Sequence, residues 1–198
     1  HVLEAAKASS AAVVFLSTAT LYGTRPDLEP IGEDTPPSPV GLYDATKWAA
    51  EILCNTYRDN MEVAVASVRT SFVYGPGYST GEYFVEAALV GNTVAEANGR
   101  DHPCDFTYVS DVVNALVLSA NSGYSGKSYN VGSGDTVSVN RLVELLGGEG
   151  VHIPKRPGEP DCTWADISKA SQLLNWKPKV SLETGVKILL NNMEYWAD

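Results

Sequence analysis

Ala11-Ala-Val-Val-Phe-Leu-Ser17 is a continuous apolar run that passes straight into Thr18. A strand with polar residues at alternate positions has one wet face. A run with none is buried on both, as strands inside a parallel sheet are. The segments around it fit that setting. Glu4 to Ser9 reads as the end of a helix. Gly23 to Gly41 is a long polar connection rich in Pro and Gly, of the kind that carries function. From Tyr43 to Asn60 the apolar residues Ala45, Trp48, Ala49, Ile52, Leu53 and Tyr57 recur at helical spacing. Glu62 to Val68 is the next strand, with Gly75-Pro76-Gly77 as its stop.

The alternation continues down the chain. Tyr83 to Val90 reads as a helix, and Thr93 to Ala95 and Phe106 to Val109 as short strands. Asp111 to Ala120 is a helix that Asp111 is expected to cap, and Ser128 to Val131 is a strand. Ser138 is the expected N-cap of a helix through Leu146, and Val151 to Ile153 a short strand. Ile167 to Leu174 and Leu182 to Trp196 are helices, the second capped by Ser181. Trp48, Trp176 and Trp196 are expected to pack in or beside the core. Strands alternating with helices predict an α/β fold with a doubly wound, largely parallel sheet. Composition turns more irregular after about Gly75, so residues 76–198 are expected to form a smaller substrate-binding subdomain. A stretch of about residues 105–135 returns to the sheet.

Composition narrows the function. Fourteen Lys plus Arg against 24 Asp plus Glu leave a net charge of −10. Such a surface argues against nucleic acid or an anionic membrane as partner. No apolar run approaches the roughly 18–20 residues that span a bilayer. Cys54, Cys104 and Cys162 form no Cys-x-x-Cys pair, which fits reduced thiols and a cytoplasmic setting. His1, His102 and His152 do not combine with them at zinc-like spacing, so no metal is expected.

The chemistry centres on Tyr43-Asp-Ala-Thr-Lys47. Four residues are about one helical turn, so phenol and ammonium share a face. A cation beside a phenol favours phenolate and suits it to acid–base work near neutral pH. Thr18 precedes Tyr43 by 25 residues and sits at the carboxyl end of the apolar strand. That is where open parallel sheets place reacting groups.

Taken together, the motifs resemble the extended short-chain dehydrogenase/reductases, in particular the NAD-dependent epimerase/dehydratase group with its sugar-nucleotide 4-epimerases. Ser17-Thr-Ala-Thr-Leu-Tyr-Gly23 is similar to the group's hydroxyl-rich strand end. Tyr43 and Lys47 resemble its catalytic pair, followed by Ala49-Ala-Glu51. Val73-Tyr-Gly-Pro76, Asp105-Phe-Thr-Tyr-Val-Ser-Asp111, Tyr129-Asn-Val-Gly-Ser133 and Ala165-Asp-Ile-Ser-Lys169 match later blocks in order. The resemblance implies Thr18, Tyr43 and Lys47 as catalytic residues, with Tyr43 as acid–base. It implies Ser17, Tyr43, Lys47 and Thr70 on NAD, or NADP, and Thr18, Phe72, Arg156 and Glu159 on a sugar or sugar-nucleotide substrate. It also implies a homodimer, and residues 1–75 as part of a dinucleotide-binding domain.

The pattern has departures. No Gly-x-x-Gly-x-x-Gly occurs, so the resemblance implies that about 100 residues with the first mononucleotide-binding half precede His1, and this stretch alone is expected to bind NAD weakly or not at all. Phe72 stands where sugar-nucleotide members usually carry Asn, and Cys104 where they carry Arg. Ala19 and Thr20 replace the Asp-Glu pair of the 4,6-dehydratases, which disfavours a dehydratase. The leading expectation is a sugar-nucleotide 4-epimerase. The rivals are a net dehydrogenase of a sugar, sugar acid or sugar phosphate, and a catalytically silent binding or assembly module.

Overall fold

The computed structural model describes residues 1–24, 29–76, 78–79, 93–97, 103–123, 127–147, 149–153 and 163–191; for 78–79, 93–97 and 149–153 it describes backbone alone. The apolar run becomes β1 (Val13–Thr18), between α1 (Val2–Ser9) and a 3-10 turn (Ala19–Tyr22). After the long connection come α2 (Leu42–Met61) and β2 (Val65–Thr70). β2 starts and ends later than its sequence pattern suggests. The αL residue Glu62 (φ 56°) closes α2, and Val63 and Ala64 only lead into the strand.

β2 lies between β1 and β8 (Ser128–Val131), and all three strands are parallel. The register pairs Thr18 with Thr70, and Thr70 with Val131, so the three carboxyl ends finish level. Side chains alternate between the two faces. Val13, Phe15 and Val65 pack with Ala6 and Cys54 on the α1/α2 side. Val14, Ala66 and Val68 pack with Val112 and Ala115 of α3 (Val109–Asn121) on the other.

After β2 the chain turns at Ser71 into β3 (Phe72–Gly75), which pairs parallel with β7 (Phe106–Tyr108) and antiparallel with β4 (Tyr78–Ser79). The remaining pairs are β5 (Thr93–Ala97) with β10 (Glu149–Ile153), parallel, and β6 (Pro103–Cys104) with β9 (Val137–Ser138), antiparallel. The last helices are α4 (Val139–Leu146), α5 (Ser168–Leu174) and α6 (Leu182–Asn191). Ser138 caps α4 by accepting the Arg141 N–H, and Ser181 accepts the Thr184 N–H at the start of α6. The expected helix at 83–90, and Trp196, lie outside the described residues.

One expectation needs correcting, and one helix faces an unexpected way. Asp111 does not cap α3, which starts two residues earlier with Tyr108 as its N-cap. Asp111 is buried, and its carboxylate accepts the N–H groups of Lys179 and Val180, pinning the approach to α6. The apolar stripe of α2 does not face the sheet. Asp44, Glu51 and Cys54 do, while Ile52 and Leu53 are 46% and 55% exposed. Trp48 is half-buried, and Trp176 is 1% exposed in the core.

What turns α2 inside out is a buried ion pair. Glu51 is fully buried and accepts from Arg69 of β2 (Nη2 to Oε1, 2.5 Å), Ser17 of β1 (2.9 Å) and Ser128 of β8 (3.0 Å). Arg69 also donates to the Tyr22 hydroxyl (2.8 Å), whose pKa burial pushes up to about 12 and which donates in turn to Asn130 (2.8 Å). Removing one partner of such a pair strands the other charge in the interior. Glu51→Leu is therefore expected to cost about 3–5 kcal/mol in urea unfolding, and adding Arg69→Met to recover most of it. Equal losses in the single and double variants would mean that the pair is not what holds these elements.

Candidate active site

The level carboxyl ends of β1 and β2 and the first two turns of α2 enclose an open cavity of about 590 Å³. Ser17, Thr18 and Thr70 come from the strand ends, Tyr43 and Lys47 from α2, and Phe72 from the start of β3. Six residues named from the sequence thus line one space. Arg156 and Glu159 lie outside the described residues.

Each side chain is held differently. Tyr43 is 58% exposed at the mouth. Lys47 reaches back one turn: its Nζ donates to the Leu16 carbonyl (2.9 Å) and stands 5.8 Å from the centre of the Tyr43 ring and 5.4 Å from that of Phe15. An ammonium has three protons to give, and this bond accounts for one. Ser17 gives its hydroxyl to Glu51, so its contact with that network fixes its rotamer. Thr70 donates to the Ser17 carbonyl at 3.5 Å across the β1–β2 pair. The ring of Phe72 lies 6.0 Å from that of Phe106, and Phe72 is half-buried in the cavity wall.

Sequence reasoning missed Thr20, Asp44, Ser71 and Thr163, all of which line the cavity. Thr20 and Asp44 were in view, inside the quoted motifs, but their hydrogen bonds arise from the 3-10 turn, which no periodicity announces. The opposite wall is apolar: Val109, Val112, Val113 and Leu116, all from α3. A cavity with hydroxyl-bearing residues on one side and an apolar wall on the other suits a ring that carries polar substituents.

Asp105 fixes the far side. It is fully buried between β6 and β7, where it accepts the N–H groups of Ser133 (2.5 Å) and Ala165 (3.3 Å) and the hydroxyls of Ser71 (3.2 Å) and Thr107 (3.3 Å). A Cβ at Gly132 would collide with its Oδ2, so only glycine lets the backbone approach this carboxylate. Among the described residues no group of three His, Cys, Asp or Glu could hold a metal ion, and no helix is long and apolar enough to cross a membrane.

Comparison with known proteins places this arrangement. The sequence profile of the NAD dependent epimerase/dehydratase family matches residues 1–132. The chain belongs to that family. It is 32% identical over 192 residues to an uncharacterized UDP-glucose epimerase, YtcB, of Bacillus subtilis; the match covers 92% of this chain and 59% of that protein. The chain therefore spans well under two thirds of that relative. Among solved structures, the UDP-glucose 4-epimerase of Thermotoga maritima with UDP-glucose superposes with a TM-score of 0.90 at 29% identity, over 99% of this chain and 68% of that one. The UDP-glucuronic acid 4-epimerase of Bacillus cereus with UDP-glucuronic acid and NAD does so with a TM-score of 0.85 at 28% identity, over 98% and 65%. The Rossmann-like α/β sheet expected from the sequence is the fold of these proteins.

Burial raises the pKa of Asp105, against the pull of its N–H and hydroxyl donors. Between the ordinary aspartate value of 3.8 and the raised one, the folded state binds more protons than the unfolded. The stability that Asp105 contributes is thus fully present below that ordinary value and is lost as pH rises through the raised one. Melting temperature followed upward from about pH 4 should fall less in Asp105→Asn than in the parent. Parallel curves would refute this assignment.

Proposed function

We propose that the protein of which these residues form part is an NAD-dependent sugar-nucleotide 4-epimerase, with NADP as the alternative dinucleotide. The observation that carries this reading is the meeting of Thr18, Tyr43 and Lys47 in one cavity at the carboxyl ends of parallel strands, beside the apolar wall of α3. Relatives of the same fold named as UDP-sugar 4-epimerases support it, one of them solved with NAD.

The residues present fit the reactive end of a dinucleotide. The α3 wall offers a face for the nicotinamide ring. Lys47 has protons left for a ribose hydroxyl, and Ser17 and Thr70 border the same space. When bound, the dinucleotide supplies hydride acceptance and return. The chain's own residues handle position and protons. Thr18 aligns the sugar hydroxyl. Tyr43 takes that hydroxyl's proton as the C–H bond gives up its hydride, and returns one when the ketone is reduced on its other face. Lys47 favours the phenolate by its charge. Arg156 and Glu159 are proposed for the nucleotide end of the substrate. The division near residue 75 is proposed to separate the cofactor side from the substrate side. The outward stripe of Ile52 and Leu53 on α2 is proposed as a homodimer contact.

A second reading has one observation in its favour. Phe72 in the wall offers no donor to a phosphate, which suits net dehydrogenation of a smaller sugar, sugar acid or sugar phosphate. Activity of the native-length protein separates the two. Interconversion of UDP-sugars without net NADH supports the epimerase; steady NADH formation with a free sugar acid supports the dehydrogenase. In either case Tyr43→Phe is expected to lower turnover by about a hundredfold. Near-normal turnover of that variant would remove Tyr43 from its role.

A further inference from the structure

The cavity contains a carboxylate that the proton chemistry above does not use. Asp44 follows Tyr43 directly, lines the cavity and is 6% exposed. Its Oδ2 accepts the Gly41 N–H (3.1 Å), which is a helix-capping bond. Its Oδ1 does something else: it accepts the Thr20 hydroxyl at 2.5 Å. The Thr20 Oγ1 lies 2.9 Å from the Thr18 Oγ1, and the Thr20 N–H donates to that same Thr18 oxygen at 3.2 Å.

Proton counting fixes the direction of this chain. A hydroxyl has one proton and two lone pairs, and a carboxylate only accepts. Thr20 gives its proton to Asp44 and has none for Thr18. In the Thr18–Thr20 bond, Thr18 is therefore the donor. One lone pair of Thr18 is taken by the Thr20 N–H. What remains for the cavity is the other lone pair. Thr18 thus meets a substrate as an acceptor, matched to a hydroxyl and mismatched to a carbonyl.

We propose that Thr18, Thr20 and Asp44 form a proton relay, with Asp44 as a second proton terminus of the site beside Tyr43. The proposal rests on the alcohol–ketone chemistry assigned above. By this second route, taken in place of transfer to Tyr43, oxidation sends the substrate O–H proton to the Thr18 oxygen, the Thr18 proton to Thr20, and the Thr20 proton to Asp44 Oδ1. The hydride from the same carbon goes to the nicotinamide. The alcohol has then become a ketone, and Asp44 a carboxylic acid. Every hydrogen bond in the relay is now reversed: Asp44 donates to Thr20, Thr20 to Thr18, and Thr18 to the ketone oxygen. Reduction runs the same transfers backwards. One proton thus switches Thr18 from an acceptor suited to the alcohol to a donor suited to the ketone. Thr20 and Asp44 act through Thr18 and are positioning residues in this sense.

The test uses the native-length protein loaded with NAD and assayed on a UDP-sugar, in the parent and in Tyr43→Phe. A second proton route predicts that Tyr43→Phe keeps a measurable residual turnover. It predicts that Thr20→Val, which preserves shape but removes the hydroxyl, costs at least about tenfold more in the Tyr43→Phe background than in the parent. Thr20→Ser, which restores the hydroxyl, should return the residual turnover. A merely structural Thr20 would be served as well by Val as by Ser. No residual turnover in Tyr43→Phe, or an equal cost of Thr20→Val in both backgrounds, would overturn the proposal. A parent without turnover on any sugar tried would instead defeat the assigned function. The relay is then judged without substrate, by NMR of the Thr18 and Thr20 hydroxyl protons. Protection from solvent exchange supports it, and free exchange overturns it.

Discussion

Glu51 is the residue on which the geometry of the site depends. It projects from α2 into the interior and ties that helix to β1, β2 and β8 at once, through Ser17, Arg69 and Ser128. A buried charge tolerates little misplacement, because losing a partner exposes it to the full desolvation penalty. The rotation of α2 about its axis is thereby set. Lys47 and Tyr43 lie four and eight residues before Glu51, stepping about 40° and 80° round the helix from it. Whatever fixes Glu51 also aims those two side chains at the strand ends. Apolar packing alone would have turned Ile52 and Leu53 inward instead.

The same device recurs through the rest of the molecule. Among the described residues, several connections that leave the sheet are held by a buried polar group. Asp105 gathers Ser71, Ser133 and Ala165, so the turn after β2 and the loop after β8 share one anchor. Asp111 holds the approach to α6 through two backbone N–H groups. Asn130 donates to the Ile31 carbonyl and brings the long connection down over the end of β8. Hydrophobic burial would be satisfied by many slightly different placements of these loops. The polar anchors select one, because each has few geometries in which all its partners are met.

This difference explains what could be read from the sequence. β1 and the helix at 43–60 were legible because continuous apolar runs and helical spacing are local signals. The resemblance added order: the hydroxyl-rich strand end, the Tyr-x-x-x-Lys and the later blocks identified the family, and the cavity gathers Ser17, Thr18, Tyr43, Lys47, Thr70 and Phe72. The facing of α2 was not legible, because apolar spacing points to a buried face by hydrophobicity, and here the buried face carries Asp44 and Glu51. Asp111 was misread for a related reason. An acid at the head of an apolar helix is usually a cap, and only the distant Lys179–Val180 backbone gives it another use. Partners so far along the chain leave no trace in a local window.

The charges in the cavity lead to a conclusion about the substrate's anionic end. Among the described residues that line the cavity, Lys47 and Asp44 are the charged ones, and both are engaged. Lys47 is drawn to the Leu16 carbonyl and sits beside aromatic rings. Asp44 holds Thr20 and the start of α2. Their opposite charges leave the cavity floor close to neutral, on a chain whose net charge is −10. A diphosphate brought near such a floor would find one cation among the described lining residues, Lys47, whose remaining protons are proposed for a ribose hydroxyl, and charge-assisted bonds are what bind phosphate firmly. Such a floor fits the proposed role of taking the neutral, reacting part of a sugar. If the substrate carries a diphosphate, its recognition falls to further cations, the part proposed for Arg156. The separation is physically sensible: a strong phosphate site placed at the floor would hold alcohol and ketone equally tightly, whereas one held at a distance anchors the molecule and leaves the reacting ring free to present either face.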